Sequence, residues 1–255
     1  VDLTIKKGEI HCLMGENGCG KSTLIKIISG FYRPDGGSIT FEGKEYDRLS
    51  IAESSGLGIQ VIYQDMSIFP NLTVAENIAI NNELYNHRKL VNWKSVKSIA
   101  KEALDHIGIE LPLQAVVGEL SVADKQLIAI ARAILNNSKL IIMDEPTSAL
   151  TRKEVDKLFK VIRQLQKEGI STLFVSHKLD EVFEIADQFT VFRNGKLVVA
   201  DSAKNINDEQ FVYYMTGRKL EEAAFTPEKI DHNKAILKVE NLGLTNGFEK
   251  ISFEI

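Results

Sequence analysis

Nine residues near the start of the chain, Gly15-Glu16-Asn17-Gly18-Cys19-Gly20-Lys21-Ser22-Thr23, make up a complete phosphate-binding loop. They follow the apolar run Ile10 to Met14 and open a helical stretch, Lys21 to Ser29, with Gly30 placed to cap it. A strand, a glycine-rich turn and a helix N-terminus together aim backbone N–H groups at a di- or triphosphate. In that arrangement Lys21 reaches the β- and γ-phosphates and Ser22 ligates magnesium. The loop predicts an ATP- or GTP-binding protein built on an α/β core.

Such a loop needs a second, acidic site for the metal ion. Leu140-Ile141-Ile142-Met143 is apolar throughout and reads as a central parallel strand, closed by Asp144-Glu145-Pro146. Asp144, at the strand end, is placed to hold magnesium through water. Glu145, one residue further out, is placed to polarise the attacking water as general base. Two more strands end in polar residues. Leu57 to Tyr63 leads to Gln64, a candidate for the metal or the water, and Ile170 to Val175 leads to His177, a candidate for the γ-phosphate. Five strand ends gathered on one sheet edge is where α/β proteins place their sites.

Between Lys21 and Asp144 lies a largely helical insertion, Thr73 to about Asn137. It contains Ser95 to Ile107 and Val122 to Leu135, the latter capped by Ser121. Ser121 is a further candidate phosphate contact. It lies far along the chain from the loop, which suggests a site completed across an interface between two copies. Arg152 to Lys167 is an amphipathic helix ended by Gly169, and Leu179 to Ala186 and Asp208 to Met215 are shorter ones. Asn194-Gly195 signals a hairpin. Residues 221–234 are charged and weakly patterned and read as a linker, after which Ala235 to Glu240 restarts strand character.

Length and composition narrow the class. The 255 residues suit one large domain or one and a half ordinary ones. No apolar run approaches the roughly 18–20 residues of a membrane helix. A net charge of -4 without a basic stripe argues against a nucleic-acid partner. The two cysteines fit a reducing compartment. Cys12 reads as a small buried hydrophobe and Cys19 as a neutral thiol within the loop. Val1-Asp2-Leu3-Thr4-Ile5 alternates like a strand, as does Ile251-Ser252-Phe253-Glu254-Ile255. The similarity of the two ends predicts a second copy of the same domain, begun and cut off, within a longer protein.

The ordered motifs resemble the ATP-binding subunit of an ABC importer for monosaccharides, the type with two ATPase domains in one polypeptide. They are the phosphate loop, Gln64, Leu120-Ser121-Val122-Ala123-Asp124-Lys125-Gln126 at the signature position, Leu140 to Glu145, Ser148-Ala149-Leu150-Thr151 and His177. The resemblance runs from Val1 to about Leu220, with residues 235–255 resembling the start of a second ATPase domain. It implies ATP and Mg2+ as ligands, and hydrolysis coupled to a transmembrane permease at the cytoplasmic face of the plasma membrane. It also implies an extracytoplasmic sugar-binding protein and a Ser121 that faces the nucleotide of the opposing domain. The permease would dock near Asp65 to Asn77. An adenine-stacking aromatic residue would precede Val1.

Ala123 departs from the glycine usual in this family, and Asp124 adds a negative charge beside it. Ala123 is tolerated if the signature faces a weaker second site. The rival readings are a non-transport ABC-type ATPase of DNA repair, chromosomes or ribosomes, and a catalytically weak regulatory module. Such repair ATPases carry long coiled-coil insertions, and the insertion here shows no sustained heptads.

Overall fold

The computed structural model describes residues 1–85, 91–218, 235–245 and 247–255. The chain divides into two compact units, Val1–Leu220 and Glu221–Ile255. The linker expected over 221–234 lies outside the described residues.

In the first unit the order is β1 Ile10–Gly15, α1 Lys21–Ile28, β2 Ile39–Phe41, β3 Lys44–Tyr46, α2 Ile51–Gly56 and β4 Ile59–Ile62. The insertion follows as α3 Val74–Tyr85, α4 Trp93–His106 and α5 Val122–Leu135. Then come β5 Leu140–Asp144, α6 Arg152–Lys167, β6 Ser171–Val175, α7 Leu179–Ile185, β7 Gln188–Arg193, β8 Lys196–Ser202 and α8 Asp208–Thr216. The main sheet has the order β4-β5-β6-β1-β7-β8. Five strands run parallel and only β8 runs antiparallel, against β7. The parallel strands therefore all end on one edge, as the sequence predicts.

Burial follows the strand order. Every residue of β1 is buried, and this strand pairs with β6 on one side and β7 on the other. The two faces of the sheet carry separate cores. One joins Cys12, Met14, Ile141, Met143 and Phe174 to the inward faces of α3 to α6. The other joins Leu13, Ile142, Leu173, Val175 and Phe192 to Ile25 of α1 and to Cys19. Alternate residues of each strand thus serve opposite faces, as the pleat requires.

Local signals explain the element ends. Ser121 accepts a hydrogen bond from the Asp124 N–H and starts α5 at the expected residue. Asn194 and Gly195, both at positive φ, make the β7–β8 turn. Asn92 caps α4, accepting from the Lys94 and Ser95 N–H groups, and starts the helix two residues before the expected Ser95.

Three features depart from the sequence reading. Val1 to Ile5 forms no strand; Leu3 and Ile5 pack against the second core without a ladder. Alternation places side chains, but a strand also needs a neighbour for its backbone groups. β3 and α2 are present though unpredicted. α2 is only six residues long, too short to show a period, and the Ser50–Glu53 capping box holds its start. In the second unit β9, Lys238–Leu244, pairs antiparallel with β10, Phe248–Glu254. That strand was expected to begin earlier, at Ala235.

A buried histidine sits in the central strand. The His11 ring bonds Glu9 Oε1 through Nδ1 at 2.7 Å and Thr190 Oγ1 through Nε2 at 2.8 Å. Burial lowers its pKa from the ordinary 6.5, and the hydrogen bond and charge of Glu9 offset this only in part. Because the folded pKa is lowered, the stability this histidine contributes is complete above pH 6.5 and is lost as pH falls below it. Thermal unfolding followed from about pH 8 down to pH 5 should show that loss, and His11→Gln should flatten it. An equal slope in the variant would assign the acid sensitivity to other groups.

Candidate functional site

At the end of β1 the backbone has no room for side chains. A Cβ on Gly15, whose φ is +152°, would lie 2.4 Å from Cys19 Sγ and 2.5 Å from the Phe192 carbonyl oxygen. Gly20 precedes α1 in a left-handed conformation that glycine adopts without strain. The β7–β8 turn braces the loop from outside, the Gly195 N–H donating to the Cys19 carbonyl at 3.0 Å. Lys21, a residue 6% exposed, donates through its ammonium to the carbonyls of Gly15 at 2.6 Å and Glu16 at 3.0 Å. The loop is thereby closed on itself by its own lysine. Glu16, Asn17, Gly18, Ser22 and Thr23 face solvent.

Beside α1 lies an open cleft of about 500 Å³, lined by Ser22, Lys26, Tyr63, Gln64, Asp65 and Asp144. It brings together the three residues expected to hold magnesium. A hydroxyl, an amide oxygen and a carboxylate are hard oxygen donors, the set that suits Mg2+. Burial raises the pKa of Asp144, and the Glu145 charge raises it further, while Lys21 and Lys26 pull it down. A cation in the cleft would act with the lysines to keep this carboxylate ionised.

Glu145 is held in an unusual backbone state. Its φ is +47°, a left-handed conformation that costs a non-glycine residue about 1–3 kcal/mol and concentrates at functional sites. The Glu145 N–H donates to the Val175 carbonyl at 3.1 Å, fixing the end of β5 against the end of β6. The carboxylate, partly buried, lies 3.3 Å from Nδ1 of the exposed His177. Glu145 and His177, read separately in the sequence, are neighbours in space.

Ser121 does not line this cleft. It is exposed at the N-terminus of α5, where its hydroxyl donates to Asp124 Oδ2 at 2.9 Å. Ala123 lies in the first turn of α5 with its methyl buried, and it is not among the residues at positive φ. The alanine is therefore accommodated without backbone strain. Lys26, Tyr63 and Asp65 were not singled out in the sequence. Lys26 was within reach of it, being four residues after Ser22 on the same helix face.

The sequence and the fold both have relatives. The family model described as "ABC transporter" matches residues 1–148. A putative ribose/galactose/methyl galactoside import ATP-binding protein of Halalkalibacterium halodurans is 43% identical over 256 residues, covering 100% of this chain and 49% of that protein. The ribose import ATP-binding protein RbsA of Caldanaerobacter subterraneus subsp. tengcongensis is 40% identical, covering 100% of this chain and 51% of that protein. The chain thus spans about half the length of the curated relatives it matches. Among solved structures, the ADP conformation of MJ1267, an ATP-binding cassette of an ABC transporter, aligns with a TM-score of 0.73 and 28% identity, covering 84% of this chain and 90% of that one. A nucleotide-free cassette from an ABC transporter aligns with a TM-score of 0.72 and 27% identity, covering 86% and 88%.

Cys19 offers a chemical test of the loop. Its sulfur fills the space beside Gly15, so an adduct has no room within the loop and must intrude on the phosphate concavity. Alkylation of Cys19 should abolish nucleotide binding, and Cys19→Ala should bind nucleotide and resist the reagent. Cys12, fully buried with its thiol pushed up by that burial, should stay unmodified. Mass spectrometry alongside a fluorescent-nucleotide titration reads both, and undiminished binding by the Cys19 adduct would contradict the placement.

Proposed function

The chain belongs to the ABC transporter family, and from that premise we propose that it hydrolyses ATP to drive import of a monosaccharide through a partner membrane permease. The cleft carries the reading: Ser22, Gln64 and Asp144 line one cavity, with Asp144 adjoining the paired Glu145 and His177. The names of the relatives at 40–43% identity, ribose and galactose import ATP-binding proteins, support the sugar.

The backbone N–H groups of the loop and of the start of α1 bind the phosphates, and Lys21 meets the β- and γ-phosphates. Ser22, Gln64 and Asp144 would hold Mg2+, which when bound neutralises charge on the phosphates. Water attacks the γ-phosphorus, the bond to the β–γ bridging oxygen breaks, and the Glu145 carboxylate takes the water's proton. His177 orients Glu145 and hydrogen-bonds the γ-phosphate. Ser121 contacts the nucleotide of an opposing ATPase domain in the same full-length protein, whose opening strands residues 235–255 supply.

The protein works as a peripheral subunit at the cytoplasmic face of the plasma membrane. Among the described residues no helix is long and apolar enough to cross a membrane. The permease docks near Asp65 to Asn77, where the exposed Phe69 is presented by a buried asparagine. The Asn77 side chain accepts from the Phe69 N–H and donates to the carbonyls of Phe69, Leu72 and Thr73. An extracytoplasmic binding protein delivers the sugar and, with the permease, selects it.

In the full-length protein, Glu145→Gln should bind ATP with unchanged affinity and lose about a hundredfold or more of its turnover. Turnover at the wild-type rate would remove Glu145 from its role. Ala123→Gly should change turnover little, since the signature that carries it faces the weaker of the two sites. A large gain would contradict the assignment of this signature to a weaker site.

A further inference from the structure

His177 stands on a short loop between β6 and α7, and its own contact with Glu145 is a single one at 3.3 Å. Both of its chain neighbours are held from beneath by one carboxylate. Glu181, in the first turn of α7, is 4% exposed. Its Oε2 accepts from the hydroxyl of Ser176, itself buried, at 2.5 Å. Its Oε1 pairs with Lys178 Nζ at 3.2 Å. The same ammonium donates to the carbonyl of Thr147, two residues beyond Glu145, at 3.2 Å. Ser176 Oγ also accepts from the Lys178 N–H at 3.1 Å, which closes the turn around His177. One buried acid therefore ties the loop of His177 to the segment that carries Glu145.

Resting on the ATPase reading above, we infer that Glu181, acting through Ser176 and Lys178, is the positioning residue that sets the spacing between His177 and Glu145. Neither Glu181 nor Lys178 lines the cleft beside α1. The pair acts on the geometry of the reacting groups and leaves the binding of ATP alone. A buried carboxylate is retained in a fold only when hydrogen bonds and a counter-charge compensate it, and here both come from the residues that flank His177. Small displacements of groups aligned for reaction carry large rate penalties, which is why a network this close to the pair is rate-setting.

Three variants of the full-length protein test this. Glu181→Gln keeps an acceptor for Ser176 and removes the charge that pairs with Lys178. Lys178→Met cuts the ties to Glu181 and Thr147 together, and Lys178→Arg restores a donor. The first two should lower kcat by about tenfold to a hundredfold while KM for ATP and affinity for a non-hydrolysable analogue stay unchanged. Lys178→Arg should recover most of the rate. Unchanged kcat in both, or a parallel loss of kcat and nucleotide affinity as a merely structural role would give, would overturn the assignment. If Glu181→Gln does not fold, the half-exposed Lys178 decides alone. Glu145→Gln run alongside separates the two levels. Turnover surviving in that variant removes the ATPase reading, whereas turnover lost there but kept in Lys178→Met removes only the role of Glu181.

Discussion

Everything at the site hangs from the parallel pairing of β1 with β6 and β7. That pairing buries β1 completely, and the chain turns to exposed polar residues only past the strand end, at Glu16 and Asn17. The phosphate loop begins at that strand end. The same register brings the end of β5 level with the end of β6, Asp144 beside Val175, so the acidic pair and the histidine loop arrive at one edge. Parallel strands buried on both faces cannot hold charge along their length, and the sheet expels it to the ends.

The electrostatics of that edge follow from the concentration of charge. Asp144 and Glu145 are adjacent carboxylates, and burial and then the Glu145 charge disfavour ionisation of Asp144. Lys21 and Lys26 of α1 offset the charge of Asp144, and His177, on the loop after β6, lies against Glu145. The strain of the site is local as well: Glu145 alone among these residues takes a left-handed backbone, and the hydrogen bond from its N–H to Val175 holds it there.

Much of this was legible in the sequence, and particular residues show why. The phosphate loop, the run Leu140 to Met143 and the Ser121 cap each combine a local conformation with a local pattern, and all three lie where expected. The hairpin at Asn194-Gly195 is as local. Short elements were missed: α2 and β3 have too few residues to show a period. Val1 to Ile5 was misread because its alternation serves packing without a ladder partner. Least legible were contacts made through space. No spacing rule announces that Glu181 reaches back to Ser176, or that Lys178 reaches Thr147, because the turn that joins them is irregular.

The central claim is that Ser22, Gln64 and Asp144 form one metal and nucleotide site with Glu145 at its edge. The structure of the full-length protein with magnesium and a non-hydrolysable ATP analogue tests it most directly. The account predicts the ion about 2.1 Å from Ser22 Oγ, with Gln64 and Asp144 completing its shell directly or through water and Glu145 facing the γ-phosphate. An ion bound away from these three side chains, or a triphosphate lying outside the loop Gly15 to Thr23, would contradict it.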